Sequence, residues 1–220
     1  MSLLVVGTVA YDAIETPFGK TEKVAGGSAF HFSWSAANFT APINLVSVVG
    51  NDYDLNEIEL LKARGLNAEG LQVKEDAKTF FWSGKYHMDM NSRDTLDTQL
   101  NVLGEFDPVL PESYKKSDFV MLGNLTPAVQ MRVLEQLEGK PKLIALDTMN
   151  FWMDSAMDEL QQVLKKIDVL IINDEEARQL SGEYSIVKAA AKIREMGPDY
   201  LVIKKGEHGA LLFHGQNVFF

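Results

Sequence analysis

Short continuous apolar runs alternate with amphipathic helical segments along most of the chain, and this alternation limits the fold more than any other feature. Helical patterns with recognisable ends follow Thr126-Pro127, an N-cap before a proline, and occupy 154–166 and 186–196. The apolar runs have the length of strands that are covered on both faces. They are Leu3–Val6, Leu45–Val49, Phe119–Leu122, Leu143–Leu146, Val169–Ile172 and Leu201–Ile203. The pattern predicts an α/β fold with a doubly wound, mostly parallel sheet.

Two segments interrupt this rhythm with the period of strands. Ala10–Val24 contains the turn Thr16-Pro17-Phe18-Gly19-Lys20, and Thr79–Leu103 alternates apolar and polar residues on both sides of a turn at 90–94. We predict that the two segments, about 10–24 and 79–103, form hairpins of a small β-sheet. Such a sheet could be a lid over a site at the strand ends or a mere extension of the fold, and we favour the lid. The chain 1–220 is otherwise predicted to be a single α/β domain.

Composition excludes several classes of protein. The chain has 220 residues, enough for one large core, and carries 31 acidic against 21 basic residues, a formal net charge of −10. Such a surface repels phosphate backbones, so we expect no nucleic-acid partner. There is no cysteine, and the apolar start Met1–Gly7 is too short for a signal peptide or a membrane span. We therefore expect the cytoplasm and no membrane partner.

Several common catalytic motifs are absent from the sequence. The chain has no G-x-x-x-x-G-K-[ST], and the turn after the first strand, Gly7–Asp12, is not G-x-G-x-x-G. There is no G-x-S-x-G, and the four histidines stand too far apart for a histidine-pair metal site. A P-loop enzyme, a standard dinucleotide-binding enzyme and an esterase are therefore disfavoured.

Asp12 and the pair Gly26-Gly27 are the candidate ligand-binding residues of the first half. Asp12 lies just beyond the first buried strand, where open α/β sheets place their ligand crevice, and a carboxylate there can accept hydrogen bonds from sugar hydroxyls. Gly26 and Gly27 precede a helix, so their backbone can approach a ligand and the helix start would offer free N–H groups. A turn-capping aspartate and an ordinary helix entry explain the same residues from sequence alone.

Together with later stretches, these residues resemble the ribokinase-like (PfkB) carbohydrate kinase family. The matching stretches follow the family's order through nearly the whole chain, at 45–52, 147–150, 169–176 and 202–209. The resemblance implies transfer of the γ-phosphoryl group of ATP, with Mg²⁺, to a hydroxyl of a small sugar or nucleoside. It implies that Asp12, Gly26 and Gly27 hold the acceptor. His31 stands where the family keeps an asparagine and is expected to help bind the acceptor.

The resemblance also implies a nucleotide site in the second half. Asn173 and Glu176 would organise Mg²⁺ and the phosphates, with Glu176 as the metal-binding carboxylate, and Lys204 and Gly206 would border the nucleotide. Residues i and i+3 that open a helix lie on one face, which suits this role. A helix cap with an acidic first turn explains Asn173 and Glu176 equally well from the residues alone.

The family's G-A-G-D segment, which supplies the general-base aspartate, does not occur in the sequence. We expect it beyond residue 220, so no catalytic residue is assigned, and the chain is expected to be C-terminally incomplete and inactive alone. Exposed apolar residues of the lid are expected to pair two subunits in a homodimer. The alternative function is that of a non-catalytic α/β protein that binds a small ligand; a Rossmann oxidoreductase ranks third.

Overall fold

The computed structural model describes all residues 1–220 and shows a mixed α/β protein. The chain divides into two compact units, residues 1–117 and 118–220, which are described separately below. None of its helices is both long enough and apolar enough to cross a membrane. The organisation as a single domain stays a prediction.

In the first unit, three parallel strands form the layer that carries the core. Strand β1 pairs with β5, and β5 pairs with β6. All eight residues of β5 are buried, as expected of a strand covered on both faces. The elements of this unit are β1 (Leu3–Val6), β2 (Ala10–Thr16), β3 (Gly19–Lys20), β4 (Val24–Gly26), α1 (Ser28–Ala36), β5 (Ile43–Gly50), α2 (Asn56–Lys62), β6 (Leu66–Lys74), β7 (Phe81–Tyr86) and β8 (Arg93–Gln99).

The remaining strands of the first unit build a second sheet, the small sheet, from β2, β3, β4, β7 and β8. Its order is β3-β2-β7-β8, and β4 also pairs with β2. Both predicted hairpin segments contribute strands, as β2 with β3 and β7 with β8, and the two segments join through parallel pairing of β2 with β7. The predicted small sheet is confirmed, while its role as a lid stays a prediction.

Asp52, in the turn after β5, ties the small sheet to the rest of the first unit. Its Oδ1 accepts a hydrogen bond of 2.8 Å from the backbone N–H of Thr79, just before β7. Its Oδ2 lies 3.4 Å from Nζ of Lys23, just before β4. One carboxylate therefore holds the start of β7 and the entry to β4.

In the second unit, four strands, β9 to β12, pair in parallel in chain order, and β13 and β14 extend the sheet in antiparallel fashion. The α/β class with a mostly parallel sheet is therefore confirmed. The elements of this unit are β9 (Phe119–Leu122), α3 (Pro127–Gln136), β10 (Leu143–Asp147), α4 (Asn150–Ser155), α5 (Met157–Leu164), β11 (Val169–Asn173), α6 (Asp174–Ser181), α7 (Ile186–Arg194), β12 (Tyr200–Lys204), β13 (Ala210–His214) and β14 (Asn217–Phe219).

Candidate active site

Asp12 lies on β2, on the small sheet, with its carboxylate against the backbone of Gly26 on β4. A Cβ atom at Gly26 would lie 2.1 Å from Asp12 Oδ2, so a side chain there would displace the carboxylate. The backbone N–H of Gly27 donates a hydrogen bond to the same carboxylate. The structure therefore brings Asp12, Gly26 and Gly27 together, while their role toward an acceptor stays a prediction.

The pKa of Asp12 reflects its burial and two neighbours, His31 and Gly27. Burial raises the pKa of Asp12, while the charge of His31 and the hydrogen bond from Gly27 act in the opposite direction. The net effect is a raised pKa, because desolvation is the largest contribution. Asp12 is thus a half-buried carboxylate whose charge is incompletely compensated by the protein, which suits it to accept hydrogen bonds from hydroxyl groups of a ligand.

Gly27 begins helix α1 with a backbone that other residues rarely adopt. Its φ is 99° and its ψ 152°, and a Cβ atom there would lie 2.4 Å from the carbonyl oxygen of Thr8. Glycine is therefore required both by the dihedral angles and by the close approach of the segment between β1 and β2.

The first amides of helix α1 are not free for a ligand, contrary to the expectation from sequence. The Ser28 N–H donates to Thr8 Oγ1 at 2.8 Å, and the Ala29 N–H donates to the Thr8 carbonyl at 3.0 Å. Thr8 thus caps the helix from 20 residues away in the chain. Sequence reasoning missed Thr8 because the cap comes from a distant strand end, and no local motif marks it.

His31 lies in the first turns of α1, exposed, and near enough to Asp12 for its charge to act on that carboxylate. Its ring centroid lies 5.7 Å from that of Phe30, which is 5% exposed. Phe30 therefore packs in the core, whereas His31 is exposed and lies near Asp12.

In the second unit, three polar side chains end adjacent parallel strands. Asp147 ends β10, Asn173 ends β11 and Lys204 ends β12, and Asn173 and Lys204 are register partners. Lys204 Nζ lies 3.6 Å from Asp147 Oδ1. Burial raises the pKa of Asp147, and the charge of Lys204 opposes that shift. These strand ends lie at one edge of the sheet, where open α/β folds bind their ligands.

Asn173 and Glu176 form a capping box at the start of α6. The Glu176 N–H donates to Asn173 Oδ1 at 2.8 Å, and the Asn173 N–H donates to Glu176 Oε2 at 2.7 Å. Glu176 is 4% exposed. Asn173 and Glu176 therefore cap helix α6, as one of the two interpretations of the sequence predicted. If they also bind a cation, they do so in addition to capping the helix.

The side chains of Asn173 and Glu176 could hold Mg²⁺ only through bound water molecules. No group of three or more histidine, cysteine, aspartate or glutamate side chains is placed to hold a metal ion. Mg²⁺ commonly keeps several waters and binds through one or two carboxylates plus substrate phosphates. Glu176 and its neighbour Asn173 fit that mode of binding.

Gly206 completes the set of predicted residues in the second unit. It lies two residues beyond Lys204, exposed, at a φ of 56° in the turn that leads into β13. The backbone N–H of Lys205 closes this turn by donating to the Gly209 carbonyl at 2.8 Å. Lys204 and Gly206 thus lie at the same sheet edge as Asn173.

Comparison with known proteins places this arrangement in a family. The chain is 25% identical over 217 residues to cytidine kinase of Thermococcus kodakarensis, covering 98% of this chain and 77% of that protein. It is 27% identical over 214 residues to 2-dehydro-3-deoxygluconokinase of Thermoproteus tenax, covering 90% of this chain and 66% of that protein. It thus spans about two thirds to three quarters of these relatives.

A solved structure shares the fold at lower identity. A structure described as ribokinase II from E. coli, solved with ATP and Mg²⁺, superposes with a TM-score of 0.78 at 18% identity, covering 99% of this chain and 77% of that chain. The family model described as pfkB family carbohydrate kinase matches residues 2–220. With that match over nearly its whole length, the chain belongs to the pfkB family of carbohydrate kinases.

Proposed function

We propose that this protein catalyses the transfer of the γ-phosphoryl group of ATP, with Mg²⁺, to a hydroxyl of a small sugar or nucleoside. The observation that carries the proposal is the Asp12 carboxylate, half-buried against Gly26 and Gly27 with His31 nearby. The two curated relatives act, by their names, on cytidine and on 2-dehydro-3-deoxygluconate, so both acceptor classes occur among similar proteins.

On the acceptor side, each residue has a distinct task. Asp12 accepts hydrogen bonds from two adjacent hydroxyls, which fixes the orientation of the sugar ring. His31, at the position where the family keeps an asparagine, donates or accepts one further hydrogen bond from α1. Gly26 and Gly27 act through the absence of side chains, because they leave room for the Asp12 carboxylate and for Thr8.

On the nucleotide side, charge stabilisation is the main task. Mg²⁺, when bound, neutralises charge on the transferring phosphoryl group. Glu176 and Asn173 would hold it through water, and Lys204 supplies a cation at the same edge. Gly206 lets the nucleotide approach the turn after β12 without a side chain in the way.

Titration calorimetry on the 220-residue polypeptide tests the proposal. We expect saturable binding of a sugar or nucleoside, and separately Mg²⁺-dependent binding of ATP. Acceptor binding without any ATP binding would favour the alternative, a non-catalytic binding protein. Absence of both, in a folded protein, would overturn the proposal.

A glutamine substitution separates the two roles of Glu176. Glu176→Gln keeps the capping box, because glutamine serves at this position, but removes the negative charge. We expect unfolding stability close to that of the wild type and at least about tenfold weaker Mg²⁺-dependent ATP binding, equivalent to about 1.4 kcal/mol. Urea unfolding and calorimetry measure the two quantities.

The matched control for that experiment is Glu176→Ala. It also removes the acceptor of the Asn173 N–H, while the bond from the N–H of residue 176 to Asn173 Oδ1 remains, and loss of one such hydrogen bond costs about 1 kcal/mol of stability. Equal ATP affinity in the wild type and in Glu176→Gln would show that this residue only caps the helix.

The small sheet is proposed to act as the lid and as a dimer contact. Large apolar side chains are exposed on its strand β8 and in the segments that connect its strands: Leu96 is 56% exposed, Phe18 77% and Met88 72%. Its strand β8 has only β7 as a partner, so one edge is open to pairing with a second copy. Light scattering measures the mass in solution. The predicted compartment is the cytoplasm, on the sequence grounds given above.

A further inference from the structure

Trp82, a residue without an assigned role, lies on the same face of the small sheet as Asp12. In the parallel pairing of β2 with β7, Asp12 and Trp82 are register partners. Partners in adjacent strands project to the same face, and alternate residues of one strand do so as well. The face that presents Asp12 toward Gly26 and α1 therefore also presents the indole of Trp82.

Three contacts fix the orientation of this indole. A Cβ atom at Gly84 would lie 2.1 Å from the outer ring of Trp82, so the ring rests directly on the glycine backbone. The indole Nε1 donates to Thr95 Oγ1 at 3.3 Å, across the pair β7–β8. The guanidinium carbon of Arg93 lies 5.9 Å from the ring centroid. The ring is thus a positioned, half-buried flat surface rather than a mobile surface side chain.

The side chains of Asp12 and Trp82 extend in opposite directions along the strands of the small sheet. The Asp12 carboxylate leans back toward Gly26, whereas the Trp82 ring leans forward over Gly84. Gly84 is paired with Ile14, two residues beyond Asp12 on β2, and Gly26 is paired with Ala10, two residues before it. The functional groups are therefore separated by two to four residues of strand, roughly 7–13 Å.

From this arrangement we infer that Trp82 is a specificity-determining residue that stacks on an aromatic base, so that the acceptor is a nucleoside. The inference rests on the proposed function and assigns its acceptor class. Asp12 holds the sugar hydroxyls, and the base extends along the sheet to the indole. A sugar or sugar acid bound at Asp12 offers no flat π-face for the indole, whereas a nucleoside carries an aromatic base beyond its sugar hydroxyls.

Substitutions at Trp82 and Gly84 test the inference by calorimetry with cytidine, adenosine and ribose. Ribose carries the hydroxyls without a base, so it reports on Asp12 alone. In Trp82→Ala we expect nucleoside affinity to fall by about 5- to 150-fold, the usual range for a base–aromatic stack, with ribose affinity unchanged. Trp82→Phe should retain most of the nucleoside affinity.

Two further variants separate stacking from a general effect on folding. Gly84→Ala keeps the tryptophan but displaces its ring, so it should also lose nucleoside affinity selectively. The matched control is Phe81→Ala, which removes a half-buried aromatic ring from the neighbouring position, on the opposite face of β7. Its ratio of nucleoside to ribose affinity should equal that of the wild type.

Three results would contradict the inference. One is an equal loss of nucleoside and ribose affinity in Trp82→Ala with unchanged affinities in Trp82→Phe. Another is nucleoside affinity that is unchanged in both Trp82→Ala and Gly84→Ala. The third is tight binding of 2-dehydro-3-deoxygluconate with no binding of any nucleoside. In all three the acceptor site at Asp12 stands; if the folded wild type binds no acceptor at all, the proposed function fails as well.

Discussion

Asp12→Asn is expected to weaken acceptor binding by about 10- to 150-fold while leaving ATP affinity within about twofold of the wild type. The substitution keeps the size of the side chain and its ability to accept the Gly27 N–H, but it removes the charge. A hydrogen bond to a charged group contributes about 1.5–3 kcal/mol, which corresponds to that range of affinity. Calorimetry with acceptor and with Mg²⁺ and ATP measures both; equal losses for the two ligands would show that Asp12 is misassigned.

The same variant is expected to be more stable than the wild type at neutral pH. Because burial raises the pKa of Asp12, the folded protein holds the proton more tightly than the unfolded chain does. The ionised carboxylate therefore destabilises the fold above the raised pKa, and this cost disappears as the pH falls to the ordinary pKa of an unfolded aspartate. Urea unfolding at neutral and acidic pH should show the advantage of Asp12→Asn at neutral pH and its disappearance in acid.

Gly27→Ala is expected to destabilise the protein by about 3 kcal/mol or more. We expect this loss of stability to exceed that of Gly19→Ala and of Gly26→Ala. A non-glycine residue held in a sparsely populated backbone region costs on the order of 1–3 kcal/mol. The added Cβ would also lie 2.4 Å from the Thr8 carbonyl, a backbone atom that cannot move without shifting the end of β1. Urea unfolding measures the loss.

Two glycines of the small sheet serve as references for Gly27. Gly19 has no atom within 4 Å of its added Cβ, so Gly19→Ala should change stability by only about 0.5 kcal/mol. Gly26→Ala meets the Asp12 side chain, and it should therefore reduce acceptor binding more than stability. A Gly27→Ala protein as stable as Gly19→Ala would refute the strained entry to α1.

The elements that sequence reasoning located well are those with strong apolar periodicity. The strand prediction at Phe119–Leu122 agrees with the structure residue for residue, because a continuous apolar run leaves little choice. The helix predicted over 154–166 is instead two helices, α4 and α5, separated at Ala156, whose φ of −147° and ψ of 41° interrupt the helix. Nothing in the side-chain pattern marks that break, since alanine favours helices.

Strand β6 was not predicted, for a physical reason. Only two of its nine residues are buried, because it lies at the edge of the three-strand layer of the first unit. Its sequence Leu66–Lys74 intersperses four polar residues among apolar ones and lacks the continuous apolar run that marks the central strands. Such an edge strand forms because it pairs with β5, and this pairing cannot be read from the periodicity of its own sequence.

At the candidate site, sequence reasoning found the residues with short-range signatures. Asn173 and Glu176 are recognisable from their spacing of three, and Gly26 and Gly27 from their place before a helix. Thr8 and Trp82 were not assigned roles, since the contacts that give them meaning come from residues 20 and 13 positions away, Ser28 and Thr95. Long-range contacts of this sort are set by the sheet register and leave no local motif.

The two contacts by which Asp52 holds the small sheet differ in their sensitivity to ionic strength. Its bond to the Thr79 N–H is a partly buried hydrogen bond to backbone, which added salt hardly weakens, whereas Lys23 pairs with the same carboxylate through a side chain that is 48% exposed. Rising salt therefore weakens the hold on the entry to β4 before it weakens the hold on the start of β7. If the small sheet opens, we expect the movement to begin at the entry to β4 while the start of β7 stays held.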